Sequence, residues 1–369
     1  MNKIETTLAP AGTFAFSTPG DIFNATPPRI VFGAGSVAGV AEEVRRLGAR
    51  RAIVISTPGR QEMAKRVGEL LGDLCVGYIP EAVSQVPIEL TRTWRAKVSQ
   101  MDVDCLVNVG GGASIGLGKS IALELALPII NIPTTYSGSE MTGFCGITID
   151  GVKRMHTSLN MLAKTVIYDP ELSVSLPVSA SAASALNALA HCIDGVYVPT
   201  ISPMVMLTAA EGTRAIVEGL RRVAAEPDDI EARTQLLYGG YLGGGMLTGG
   251  YALQHGLAHT LGGSFGVPHG HAHAVALPYV TAYNSRFARE KLARIEAALG
   301  TTSLAGAVWD LLVDVGLPTS LREVGIKDSD VDDIARITVD TDNGLNPGPV
   351  TFEAVHGITL AALAGKRPA

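Results

Sequence analysis

The stretch Cys105-Leu106-Val107-Asn108-Val109-Gly110-Gly111-Gly112-Ala113-Ser114 decides the fold of this 369-residue chain. Cys105–Val109 is an apolar run without alternation, which predicts a strand covered on both faces. Three glycines follow, and a helical pattern runs from Ser114 through Leu125. The next apolar run, Pro128–Ile132, completes a strand, glycine turn, helix and strand, the signature of a parallel sheet. The same grammar stands upstream. Arg29–Phe32 leads into a Gly-x-Gly turn and a helix near Ser36–Leu47, and Ala52–Ser56 into a helix near Gln61–Leu71.

From about Pro170 the grammar changes. Ala, Leu and Gly dominate, and helical spacing covers Ser179–Tyr197, Met204–Val223, Ile230–Met246, Gly249–Leu261 and His273–Tyr283. The chain therefore predicts an α/β domain with a parallel sheet over residues 1–170, residues 1–27 being an irregular arm. An all-helical domain follows over residues 171–369. No internal repeat or low-complexity tract is visible.

Composition narrows the function classes. The chain is 47% hydrophobic and 17% charged, which excludes general disorder. A net charge of -6 and 5% aromatics argue against a nucleic-acid or anionic-membrane partner. Cys75, Cys105, Cys145 and Cys192 form no CxxC pair, so reduced core thiols in a cytoplasmic protein are expected. The stretch Thr234–Asn284 holds no Asp, Glu, Lys or Arg, yet Gly and His interrupt it too often for a membrane span. It is expected to be interior.

Glycines between a buried strand and a helix let backbone N–H groups approach a phosphate, and the helix N-terminus adds partial positive charge. The spacing is neither GxGxxG nor a P-loop, since Lys119 lies well past Gly112. A plain tight turn would use the same glycines. Thr134-Thr135-Tyr136-Ser137-Gly138-Ser139-Glu140 follows another buried strand, and its hydroxyls suit phosphate, ribose or amide contacts. They also suit a helix cap. Gly110, Gly111, Gly112, Ala113, Ser114, Thr134, Thr135 and Ser137 are the candidate dinucleotide residues, and bulk at Gly111 is expected to block the coenzyme. Ser56 and Thr57 join them after the strand Ala52–Ser56. The run Ser56-Thr57-Pro58-Gly59-Arg60 carries no acid that would repel a 2′-phosphate, so NADH and NADPH both stay open.

Five of the eight histidines fall between residues 255 and 273. His255 and His259 share one helix face, as do Asn187 and His191. A His pair four apart plus a third His is ordinary metal-site geometry, but the position that could supply a carboxylate is Asn187.

Together these motifs resemble the iron-containing alcohol dehydrogenase superfamily. The likeness rests on Gly110–Ser114, Pro133–Glu140, Ile167-Tyr168-Asp169-Pro170-Glu171-Leu172, Asn187-Ala188-Leu189-Ala190-His191 and His255…His259…Pro268-His269. The resemblance is nearest to the maleylacetate reductase branch. Gly116 stands where metal-dependent members have Asp, Asn187 stands at the Asp ligand, and His273 and Asn346-Pro347-Gly348-Pro349-Val350-Thr351 point the same way. It implies a dehydroquinate synthase-like architecture with a cleft between two domains, and a homodimer. The activity it implies is NAD(P)H-dependent reduction of maleylacetate, an oxo-dicarboxylate enone, to 3-oxoadipate in aromatic-compound degradation.

The family's ligand positions map to Asn187, His191, His255 and His269, a degenerate metal site in which no metal is expected. His259 is the candidate general acid. His191, His255, His269 and His273 are expected to bind a carboxylate or the enolate oxygen, with Lys153, Asn187 and Tyr136 as substrate residues. Three departures from the branch fall where the substrate should be: Asn160 for Arg, Gly143 for Pro, and Gly270-His271-Ala272 after His269. A metal-dependent alcohol or aldehyde dehydrogenase, and a diverged member acting on another oxo acid or without net redox turnover, remain as alternatives.

Overall fold

A computed structural model describes residues 28–369, so the arm expected over residues 1–27 lies outside the described residues. Eight strands occur among the described residues: β1 (Arg29–Phe32), β2 (Ala52–Ile55), β3 (Cys75–Ile79), β4 (Cys105–Gly110), β5 (Ile129–Pro133), β6 (Phe144–Ile149), β7 (Val152–Thr157) and β8 (Thr165–Tyr168). Six form one sheet in the order β1-β8-β5-β4-β2-β3, with every pairing parallel.

The sheet half also carries helices α1 (Val40–Arg46), α2 (Gln61–Leu71), α3 (Ile88–Val98) and α4 (Gly112–Leu125). Its strands are apolar on both faces because both are covered. Val54, Val107, Ile130 and Ile167 pack with Val40 and Val44 of α1 and Val67 of α2. Ile53, Leu106, Ile129 and Val166 pack with Trp94 of α3 and Leu117 and Ile121 of α4.

Strands β6 and β7 form a separate antiparallel hairpin. Its two-residue turn is Asp150-Gly151, both at positive φ (50° and 76°), the backbone that a tight hairpin demands. The hairpin, β3 and β8 are not anticipated by the sequence pattern above. The α2–β3 connection contains only Gly72–Leu74, and β8 is just four residues long.

From Val178 onward the chain forms helices and no strands: α5 (Val178–Gly195), α6 (Pro203–Met206), α7 (Thr208–Ala225), α8 (Ile230–Leu247), α9 (Leu253–Phe265), α10 (His269–Asn284), α11 (Arg289–Leu299), α12 (Leu304–Asp314), α13 (Val331–Asp340) and α14 (Phe352–Ala364). Helix α10 starts at His269, a full turn before the expected His273. Its first turn is polar, so hydrophobic spacing does not reveal it. Helix α9 starts at Leu253 rather than Gly249, because Gly250 sits at φ 108°, outside any helix.

The glycines of α8 explain how the halves meet. A Cβ at Gly243 would lie 2.8 Å from the Ala188 carbonyl oxygen on α5, and one at Gly244 would lie 2.7 Å from the Gly138 oxygen. Only glycine lets α8 press against both α5 and the loop after β5.

Candidate active site

Parallel strands end at one edge, and β2, β4 and β5 are neighbours there. The connection from β2 runs outward to β3, while that from β4 runs the opposite way to β5. That divergence is a topological switch point, where open α/β sheets bind ligands. Ser56-Thr57, Gly110–Ser114 and Thr134–Ser137 follow these three strands, so the fold gathers all the candidate dinucleotide residues on one rim.

The rim is chemically unfinished. The hydroxyls of Ser56, Ser114, Thr135 and Ser137 are buried and have no hydrogen-bond partner. A buried hydroxyl without a partner is costly, so four at one edge mark a place for a polar ligand. No side chain caps the N-terminus of α4. The three glycines divide the work. Gly110 takes φ 138°, and a Cβ on Gly111 would meet Thr135 Cγ2 at 2.8 Å. Space is open only beside Gly112, where a Cβ would meet nothing within 4 Å. Thus Gly111 is glycine because of Thr135, and Gly112 is the one that borders open space. Lys119 is not part of the rim: its buried ammonium donates to Thr142 Oγ1 (2.9 Å) and to the Phe144 carbonyl (3.1 Å).

Helices α5, α9 and α10 bring five histidines together. Ring centroids of His191 and His255 are 4.8 Å apart, His255 and His273 4.6 Å, His269 and His273 4.6 Å, and His259 and His269 5.9 Å. His191, His255 and His273 form an inner layer. His259 and His269 form an outer one and keep part of their surface open. Burial first, then neighbouring rings, holds His191, His259 and His273 well below the ordinary imidazole range. His269 is held down to about 3, by burial and then by the charge of Lys153.

Sequence reasoning missed Asp194. It is fully buried, one turn beyond His191, and is the sole acid in α5. Its carboxylate receives the Ala252 N–H (2.7 Å), the Gln254 N–H (3.3 Å) and the Tyr197 hydroxyl (2.8 Å), and faces His255 Nδ1 at 2.7 Å. An acid inside an otherwise uncharged helix beside a motif histidine was the available signal. From His255 Nε2 the chain continues to His191 Nδ1 (2.7 Å), and from His191 Nε2 to the Ser137 carbonyl (2.9 Å).

The Ser137 carbonyl can only accept, so His191 Nε2 donates to it.

The resemblance puts the family's metal positions at Asn187, His191, His255 and His269, and their donor atoms decide whether a metal fits. Both nitrogens of His191 and both of His255 are engaged in that chain, and Asn187 offers only a neutral amide oxygen, buried and unpartnered. No group of three His, Cys, Asp or Glu among the described residues is arranged to hold an ion. In this arrangement the residues do not fit a metal.

Two expected substrate residues separate. Lys153, on β7, lies over Gly146 with its ammonium close enough to His259 and His269 to oppose their protonation. Tyr136 is a correction. It is fully buried, and its hydroxyl is bound by Arg233 at 3.0 Å, a buried guanidinium that also holds the Ser173 and Leu176 carbonyls. Tyr136 joins the two halves instead of facing the cleft. Asn160 likewise turns away, donating to the Leu123 carbonyl at the end of α4 (3.2 Å). Gly116 is glycine for packing: a Cβ there would lie 2.6 Å from Val86.

Comparison with known proteins agrees with this geometry. Residues 27–170 match the model of the iron-containing alcohol dehydrogenases, and residues 181–363 match that of the C-terminal part of the Fe-containing alcohol dehydrogenase family. The chain is 42% identical to a maleylacetate reductase of Burkholderia cepacia, over 94% of this chain and 99% of that one. It is 37% identical to maleylacetate reductase 1 of Rhodococcus opacus, over 94% and 97%. The crystal structure of maleylacetate reductase from Agrobacterium tumefaciens superposes with a TM-score of 0.91 at 40% identity, covering 95% of this chain and all of that one. With both halves matched and the rim and histidine cluster in place, this chain belongs to the iron-containing alcohol dehydrogenase family of oxidoreductases.

Proposed function

We propose that the protein reduces maleylacetate to 3-oxoadipate with NADH or NADPH and without a metal. The observation that carries this reading is the histidine cluster itself. His191 and His255 are bonded into a chain that starts at Asp194, the fourth ligand position is an amide, and Lys153 stands beside the outer layer. The relatives named maleylacetate reductase, 37% to 42% identical, support the same substrate.

The coenzyme, when bound, supplies a hydride to the carbon β to the ketone. The four unpartnered hydroxyls and the N-terminus of α4 would hold its pyrophosphate and ribose, with Gly112 leaving the room. The substrate carries two carboxylates, and Lys153, His269 and His259 are the groups that would receive them. Hydride addition leaves an enolate, whose oxygen needs N–H donors in place before charge develops. His259 is the proposed acid. It stands free of hydrogen bonds to described residues and one helical turn from His255, on the same face of α9. A dianion beside it favours its protonated form, which burial otherwise disfavours. A homodimer working in the cytoplasm completes the reading, and no described helix is long and apolar enough to cross a membrane.

The test is oxidation of NADH and NADPH by the purified protein with maleylacetate, alongside simple alcohols and aldehydes, with metal content measured on the same sample. Turnover with the enone in metal-free protein is expected. Activity abolished by a chelator and restored by zinc or iron, with alcohols as the better substrates, would replace this reading with that of a metal-dependent dehydrogenase.

A further inference from the structure

We propose that Tyr251 is the positioning residue for His259: its ring holds that imidazole in the orientation from which the proton is returned to the enolate. The inference rests on the reading of His259 as the acid and adds to it the residue that aims it.

His259 makes no hydrogen bond to a described residue, so no donor or acceptor of the protein fixes its ring. The torsion that turns an imidazole about its Cβ–Cγ bond is soft, and a half-turn puts carbons where the nitrogens were. Packing therefore decides which edge of His259 is presented. Three rings lie around it: Tyr251 at 5.4 Å and 77°, His269 at 5.9 Å and 16°, and His255 at 6.3 Å and 76°. Tyr251 is the nearest and is the only one of the three that is not itself a histidine of the cluster. Its contact is edge-to-face, an arrangement that aromatic rings favour.

Tyr251 is fixed in turn from both sides. It lies in the link between α8 and α9, directly after Gly250 at φ 108°. Its carbonyl accepts from the Asn343 side-chain amide at 2.8 Å, and the next N–H, that of Ala252, goes to the Asp194 carboxylate at 2.7 Å. Its ring also leans on His255 at 5.6 Å and 39°, and His255 is held through Nδ1 by the same carboxylate. Asp194 thus anchors both the backbone beside Tyr251 and one of the two rings that it touches. The residue is half-buried and its hydroxyl has no hydrogen-bond partner among the described residues, so the ring carries the contact.

The test measures kcat and KM for maleylacetate, the ratio of kcat in H2O to that in D2O, and the melting temperature. The full-length protein is compared with Y251F, Y251L, Y251Q, H259N and H259N/Y251L. Y251L and Y251Q both lack the ring, and either decides the matter if the other fails to fold. Each should lower kcat tenfold or more and change KM less than threefold. The solvent isotope effect on kcat should rise, because a misaimed acid makes protonation limit the rate. Y251F keeps the ring and should restore kcat to within threefold of the unaltered protein. H259N/Y251L should be no slower than H259N, since a residue that acts through His259 then has nothing left to aim. Y251F as slow as Y251L, losses in Y251L and H259N that multiply, an unchanged isotope effect, or ringless variants in which only KM or melting temperature moves would each overturn the proposal. Near-normal kcat in H259N would instead remove the acid reading, and this proposal with it.

Discussion

Asp194 shows how much one buried carboxylate can arrange. Three donors, the Ala252 and Gln254 amides and the Tyr197 hydroxyl, hold it in place, and it in turn fixes which nitrogen of His255 faces His191. Asp194→Asn keeps the shape but turns a carboxylate that only accepts into an amide that also donates, so it no longer fixes the orientation of the His255 ring. The expected outcome is a fall in kcat of a hundredfold or more with coenzyme affinity nearly unchanged, accompanied by a stability loss on the order of 1–3 kcal/mol. Normal kcat with lowered stability alone would make Asp194 a purely structural residue. His259 lies outside that chain, so His259→Asn tests the acid separately. A loss of roughly 10²–10⁴ in kcat is expected, with coenzyme binding intact. A near-normal kcat removes the acid role. A large drop in melting temperature would point to helix packing instead.

At the scale of elements, the β4–α4 junction assigns different tasks to adjacent glycines. Gly111→Val drives a side chain into Thr135, so it should lower the melting temperature as well as disturb the rim. A Cβ at Gly112 would meet nothing within 4 Å beyond its own helix, so Gly112→Val should leave stability within about 1 kcal/mol. It should nevertheless weaken NADH and NADPH at least tenfold. Unchanged coenzyme affinity in Gly112→Val would take the pyrophosphate away from this junction. The loop after β5 belongs to the same element-scale argument. Gly138, at φ 74°, brings Ser137 beside His191, so the hydroxyl-lined rim and the hydrogen-bonded histidine chain share a residue. A ligand on the Ser137 hydroxyl therefore sits one residue's backbone away from the histidine chain.

Across the whole molecule, the clustered imidazoles set a pH dependence of stability. His191, His259, His269 and His273 all have folded-state values below the ordinary 6.5. Between those lowered values and 6.5 the unfolded chain binds protons that the folded chain does not. Stability is therefore complete above about pH 6.5 and is lost as pH falls through that window. Each such histidine contributes a slope of up to about 1.4 kcal/mol per pH unit. Urea unfolding at pH 7.5, 6.0 and 5.0 should show a steep decline, and His269→Gln should make it shallower. A flat profile from pH 7.5 to 5.0 would show that the cluster takes up protons without opening. The two halves are bound by buried polar contacts as well as by apolar packing. Arg233 on α8 satisfies the carbonyls of the segment between β8 and α5 and the Tyr136 hydroxyl at once.

By itself the sequence determined the elements whose signal is local. Unalternating apolar runs marked β2, β4 and β5 because covered strands need no polar face, and the glycines marked the turn that follows β4. Five histidines in a stretch without charged residues marked the site, and four of them, His255, His259, His269 and His273, belong to it, joined by His191 from α5. The tertiary structure alone decided what depends on long-range contact. Tyr136 lies within the hydroxyl loop in the chain, yet its side chain was settled by Arg233, 97 positions away. Asp194 became part of the site only because α9 and α5 meet, bringing His255 to it across 61 positions. Strand β8 lies between β1 and β5 by pairing that four residues cannot announce. Hydrophobic spacing reports which face of a segment is buried, whereas the partner that satisfies a buried polar group is chosen by the packing of distant segments, and the chemistry of this site rests on such partners.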